Sequence, residues 1–259
     1  MVRLLALDLD GTVLGKDHRV PDGVRPALGK LSQRYWITLA TGRSLASARP
    51  FIVSLGACVP VILYNGAVVY DPLAERTLLE RRLEVGEARA ALKAMRGFPV
   101  DVEIYRDTQD PTLYVEVATP RVRRFQTKEG LPAREVGDLL SFLDFPPLKL
   151  LVLGDPEVLP ELEAVLRREV PRVSVVRSEV DYLEVLPRGA SKGTAMRWLC
   201  ELLGILREDV VAVGDQLNDL EMIRWAGIGL AMAHGPEELR RAADLVVHSV
   251  AELPRLLPR

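Results

Sequence analysis

The run Leu4-Leu5-Ala6-Leu7 is apolar without a break and stops at Asp8-Leu9-Asp10-Gly11-Thr12. A strand with one wet face alternates polar and apolar residues. A strand apolar throughout is buried on both faces, which requires a sheet covered by helices on either side. Similar runs recur at 36–40, 61–64, 210–213 and 228–231, with a shorter one at 245–247. Between the first two, 21–34 has helical spacing through Val24, Ala27, Leu28 and Leu31, and 44–55 and 191–203 also read as helices. This alternation predicts an α/β fold, a Rossmann-like three-layer core with a mostly parallel sheet.

The middle of the chain has a different rhythm. Asp101-Val102-Glu103-Ile104-Tyr105 and Leu113-Tyr114-Val115-Glu116-Val117 alternate polar with apolar residues, as strands with one solvated face do. Further strands are expected at 148–153 and 173–176, with a helix at 157–168 between them. The predicted organisation is a core of 1–82 and 188–259, interrupted by an inserted α+β domain at 83–187. A length of 259 residues accommodates two modest domains, and 48% hydrophobic with 27% charged residues suits a soluble globular chain. A formal net charge of −2 argues against nucleic acid as a standing partner, which needs a basic face. Cys58 and Cys200 form no Cys-x-x-Cys pattern and are expected as buried, small apolar residues in a reducing cytoplasm. No stretch approaches a membrane span, and the N-terminus lacks signal-peptide features, so a cytoplasmic protein without a membrane partner is expected.

Chemistry-bearing residues gather where buried runs end. Asp8 and Asp10 are two apart, so on a strand both carboxylates address one ligand while Leu9 enters the core. Thr41-Gly42-Arg43-Ser44 follows the second run and offers a hydroxyl and backbone N–H groups to an anion at a helix start; ordinary helix capping is the alternative. Lys192 sits at a helix N-terminus, where a cation opposes the macrodipole unless an anion shares the space; a solvated surface lysine is the plain alternative. Gly214-Asp215-Gln216-Leu217-Asn218-Asp219 again sets carboxylates after a buried run, with Asn218 or Asp219 also able to cap a helix. Converging on one end of the sheet, these segments supply a nucleophile, a proton donor, a hydroxyl, a lysine and metal-binding carboxylates, as phosphoryl transfer requires.

In order and spacing the four segments resemble the motifs of the haloacid dehalogenase superfamily. The size and place of the insertion resemble the larger cap class, and Asn65-Gly66-Ala67 with Ala231-Met232 resembles the Cof-type sugar phosphatases. The resemblance implies Asp8 as nucleophile, Asp10 as general acid and base, and Lys192 as the third catalytic residue. It implies Mg²⁺ held by Asp8, Asp215 and the backbone carbonyl of Asp10. It further implies phosphate binding by Thr12, Thr41, Gly42, Arg43 and Asn218, with Asp219 in support. The expected substrate is a small phosphate ester, and the expected state is a monomer or homodimer. A hexose phosphomutase and a non-catalytic ligand binder of the same fold are the alternatives. The chain departs from the Cof pattern at Ala233-His234-Gly235, where His234 reads as a polar loop residue.

Overall fold

The computed structural model describes residues 3–15 and 17–257. By internal contacts the chain divides into two compact units. The first comprises Met1–Gly42, Ala48–Leu79 and Ser191–Arg259, and the second comprises Arg43–Ser47 and Glu80–Ala190. The expected boundaries lay near 82 and 188; the short piece Arg43–Ser47 was read with the core.

Five parallel strands make the sheet of the first unit, in the order Leu245–Val247, Ile228–Met232, Val210–Gly214, Arg3–Leu7, Tyr35–Leu39. Leu4 to Leu7 have no exposed surface, as an unbroken apolar run in a covered sheet should not. Helix Lys192–Leu203 contributes Ala195, Met196, Leu199 and Cys200 to the core cluster with Leu4 and Ala6. The register sets Leu7 opposite both Val213 and Leu39, so Asp8, Gly214 and Ala40 leave the sheet side by side. The chain passes from Arg3–Leu7 to one neighbour and much later returns as the other. That makes the crevice between them a topological switch point, where open α/β sheets bind ligands.

Two expectations about this unit change. The run at 61–64 becomes Val61–Leu63, which pairs antiparallel with Val68–Asp71 in a separate three-stranded sheet completed by Arg76–Glu80. A single parallel bridge from Ala40 to Ile62 is its recorded pairing with the five-stranded system, because the chain reverses at once through Tyr64, Asn65 and Gly66. Cys200 is buried, but Cys58 is exposed. Among the described residues no helix is long and apolar enough to cross a membrane.

The second unit is built on a six-stranded sheet ordered Val173–Glu179, Tyr182–Pro187, Lys149–Leu153, Asp101–Tyr105, Leu113–Val115, Ala133–Glu135. Its pairs are antiparallel except the last, which is parallel. Helices Val85–Met95 and Leu159–Glu169 bury Leu92, Met95, Leu162 and Leu166 with Ile104, Leu150, Val152 and Val185 from one sheet face. The alternating pattern predicts a solvated opposite face. The structure instead buries Glu103, Lys149 and Glu184 there, at 0%, 2% and 2% exposure. Alternation reports two faces of different chemistry; it does not report which of them meets water.

Tyr64, Asn65 and Gly66 all have positive φ, of 48°, 51° and 93°. A Cβ on Gly66 would lie 2.0 Å from the carbonyl oxygen of Ser191 and 3.0 Å from the backbone nitrogen of Lys192. This reversal therefore packs directly on the start of the Lys192 helix, and only glycine fits. Gly66→Ala is expected to destabilise the protein by about 2 kcal/mol or more, from strain and overpacking together. A fall in the urea midpoint at unchanged m-value would register it.

Candidate active site

Asp8 follows the first strand, Arg3–Leu7, and is buried. Its Oδ1 accepts a hydrogen bond from Lys192 Nζ at 2.6 Å, and its Oδ2 is buried with no hydrogen-bond partner. Lys192 reaches this point because Ser191 and Thr194 form a capping box that fixes the first turn of its helix. The same ammonium donates to Asp219 Oδ1 at 2.6 Å. Burial pulls the Lys192 pKa down, but the Asp219 and Asp8 carboxylates outweigh it and hold the pKa above the ordinary lysine value. The lysine thus stays an ammonium ion.

Asp219 is wholly buried and fully used. Its Oδ2 accepts from the backbone N–H groups of Asp215 and Gln216, at 2.9 and 3.0 Å. That contact shapes the loop after Val210–Gly214 and sets Asp215 beside Asp8. Carboxylate oxygens of Asp8, Asp215 and Asp219 lie within 4.8 Å of one another. Burial, then the Asp219 charge, pushes the Asp215 pKa up to about 7. Burial also drives Asp8 well above the usual carboxylate range, despite the opposing pull of Lys192. Three carboxyl groups share one ammonium, so their full ionisation would leave two uncompensated negative charges out of water. A hard divalent cation with oxygen ligands fits that deficit, and the orphaned Asp8 Oδ2 with the Asp215 carboxylate are the atoms left to hold it.

The other expected site residues separate. Thr12 turns its hydroxyl to Asp215 Oδ1 at 3.4 Å, orienting a carboxylate of the cluster. Gly11, at φ 82°, lies where a Cβ would come within 2.2 Å of Asp215 Oδ2. Asp10 is not one of the three clustered carboxylates; its side chain is partly exposed, 3.5 Å from His18 Nδ1. Thr41 is buried at the neighbouring strand end, its N–H donating to the Ile62 carbonyl and its own carbonyl accepting from Asn65 N–H. Gly42 follows it as the last residue of that segment of the first unit. Arg43 groups with the second unit, its guanidinium 3.3 Å from Glu129 and donating to Ser47 Oγ at 3.0 Å. Its charge therefore has a carboxylate counterpart in the protein.

Asn65 and His234, given no site role in the sequence reading, also stand at this group. Asn218 donates from Nδ2 to Asn65 Oδ1 at 2.9 Å, leaving Asn65 Nδ2 and Asn218 Oδ1 buried without partners. Whichever way the two amides are turned, the pair keeps one unused donor and one unused acceptor beside the Lys192 helix start. The signal for Asn65 was the Asn-Gly pair directly after a buried run, since asparagine tolerates a left-handed backbone. His234, read as an ordinary loop residue, lies with Nε2 3.4 Å from Asp215 Oδ2.

Known proteins resemble this chain along nearly its whole length. A family described as haloacid dehalogenase-like hydrolase matches residues 5–253. The putative phosphatase YxeH of Bacillus subtilis is 31% identical over 98% of each chain. An HMP-PP phosphatase of Cronobacter sakazakii is 31% identical, covering 99% of this chain and 89% of its own. The crystal structure of a haloacid dehalogenase-like hydrolase from Bacteroides thetaiotaomicron superposes with a TM-score of 0.85 at 28% identity, covering 99% of this chain and 100% of that one.

Two outcomes follow from the buried charges. Asp219→Ala strands Lys192 beside one carboxylate and frees two backbone N–H groups, so a loss of about 3 kcal/mol or more is expected in urea unfolding. Asp215 ionises near 3.8 when unfolded and near 7 when folded. A raised carboxylate favours the folded state fully at low pH, and this contribution is lost as pH climbs from about 4 through about 7. The stability of the metal-free protein should carry that downward slope, and Asp215→Asn should flatten it in urea midpoints taken across the same range.

Proposed function

The chain belongs to the haloacid dehalogenase-like hydrolases, and on that premise we propose a Mg²⁺-dependent phosphatase that attacks small phosphate esters, sugar phosphates foremost, with Asp8. It is a phosphoric monoester hydrolase by kinship; the covalent route, the metal and the substrate class are our reading. One observation carries it: a buried carboxylate held at one oxygen by an ammonium, with its other oxygen uncommitted at a strand's end.

In this reading an oxygen of the Asp8 carboxylate forms the bond to phosphorus as the bond to the ester oxygen breaks, giving an aspartyl-phosphate and an alcohol. Lys192 keeps Asp8 in place and offers its charge to the transferring phosphoryl oxygens, with the Thr41 hydroxyl as a second donor. Asp10, outside the Lys192 network and partly exposed, protonates the leaving alkoxide and then takes a proton from the water that cleaves the phosphoenzyme. Asp8, Asp215 and the Asp10 carbonyl would hold Mg²⁺, which when bound screens the charge of the phosphate dianion. Thr12 and Asp219 keep Asp215 and Lys192 placed, and the Asn65–Asn218 pair offers a donor to the phosphate side. The insertion at 83–187 is the proposed selector of the organic part. Two unpaired cysteines support a reducing, cytoplasmic setting.

The test is phosphate release from a panel of phosphorylated metabolites with Mg²⁺ and with EDTA. Turnover should require the metal, and Asp8→Asn should lower it by about a thousandfold or more. Substantial turnover in that variant would sink the covalent assignment. Conversion of a hexose 1-phosphate to the 6-phosphate, without free phosphate, would make the enzyme a mutase instead.

A further inference from the structure

The loop that follows Asp10 is closed on itself by backbone hydrogen bonds. Gly11 N–H donates to the Leu14 carbonyl at 3.1 Å, Gly15 N–H to the Arg19 carbonyl at 2.9 Å, and His18 N–H to the Gly15 carbonyl at 2.9 Å. A bridge between Asp10 and Leu14 ties the start of the loop to its middle. The turn so formed holds His18 at φ 56°, a left-handed conformation that glycine would take without steric cost. The backbone alone thus favours glycine, and the imidazole is explained by what it faces. The His18 side chain is 39% exposed, yet its Nδ1 is buried, makes no hydrogen bond and lies 3.5 Å from Asp10 Oδ1. A ring nitrogen out of water beside a carboxylate oxygen is satisfied by an N–H···O bond, and the tautomer with its proton on Nδ1 supplies one. The gap is about half an ångström longer than an ordinary contact of this kind. Catalytic groups commonly close such gaps only when substrate is bound.

We propose that His18 is a positioning residue for Asp10. Its Nδ1–H donates to Asp10 Oδ1, which leaves Oδ2 as the oxygen that carries and moves the proton. Asp10 Oδ2–H gives that proton to the ester oxygen as the phosphorus–oxygen bond breaks and its electron pair stays on that oxygen. Oδ2 then takes a proton from the water that cleaves the phosphoenzyme. His18 keeps its own proton throughout and touches no reacting atom. A hydrogen bond to a charged acceptor is stronger than one to a neutral acceptor, so the contact tightens as Asp10 loses its proton. Its benefit is therefore larger in the transition state than before it, which is what accelerates the step. The catalytic role rests on the reading of Asp10 as the acid and base of a phosphatase; the contact between His18 and Asp10 does not.

The experiment uses the full chain with Mg²⁺ and two esters of similar shape, p-nitrophenyl phosphate and phenyl phosphate. Nitrophenolate departs with little help from an acid, whereas phenolate, the stronger base, needs the proton. His18→Gly keeps the backbone conformation and removes the imidazole. The ratio of kcat/KM for phenyl to p-nitrophenyl phosphate should then fall about tenfold, as loss of a hydrogen bond to a charged group implies. His18→Asn tolerates the left-handed backbone and sets an amide N–H close to the place of Nδ1, so it should restore most of the ratio. A merely structural role would lower both esters alike. That result, or an asparagine variant no better than the glycine one, overturns the proposal. A second arm needs no turnover: nitrogen-15 NMR at about pH 9, where histidine is ordinarily neutral, reads which ring nitrogen of His18 carries the proton. Nδ1 is expected in the wild type and Nε2 in Asp10→Ala; Nε2 in both overturns the contact itself. If the wild-type protein hydrolyses neither ester, the phosphatase reading falls and takes the catalytic role with it, while the NMR arm alone decides the contact.

Discussion

One ammonium ion organises the first unit. Lys192 is buried, ionised and shared between Asp8 and Asp219 at equal distances of 2.6 Å. Through Asp219 it reaches the backbone of Asp215 and Gln216, and so determines where the loop after Val210–Gly214 runs. Through Asp8 it reaches the end of the strand Arg3–Leu7. A lysine in such a place is stable only with its carboxylates, and the carboxylates are tolerable only with the lysine. The loops are therefore mutually dependent, which is how a shallow crevice at a sheet's edge becomes a rigid arrangement of charges.

Both units carry buried charge, but they balance it differently. In the first, acidic groups exceed basic ones by two, and the excess sits where a dication and a phosphate meet in our reading. In the second, Lys149 and Glu184 neutralise each other and one glutamate is left over. A strong local field serves bond breaking, where charge moves.

The candidate site was legible because unbroken apolar runs locate buried strands, and the residues after each run must then stand at the sheet's carboxyl edge. Asp8, Thr41 and Asp215 follow from that logic alone. Lys192 needed the extra fact that a cation at a helix start wants an anion nearby. What could not be read was the direction of side chains whose partners come from distant segments. Thr12 orients Asp215 and Arg43 pairs with Glu129, since each hydroxyl or guanidinium takes the strongest partner that tertiary packing offers. His234 is the same case, with no local sign that its turn would bring it to Asp215. The buried polar face of the inserted sheet was missed for a different reason: periodicity separates two faces but carries no information on what covers them.

The Gly66 reversal packs on Ser191 and Lys192, residues made some 125 positions later on the ribosome. The first strand, Arg3–Leu7, likewise waits for Val210–Gly214 before its second edge is paired. The second unit is almost contiguous, from Glu80 to Ala190, and emerges complete in the interval. Synthesis thus leaves the first unit as an open sheet edge with an unneutralised Asp8 until the chain's last quarter arrives. Its assembly is dominated by contacts of long sequence separation, the kind that form slowly. The order of folding is thereby inverted relative to the order of translation: the segment inserted in the middle is the first able to finish.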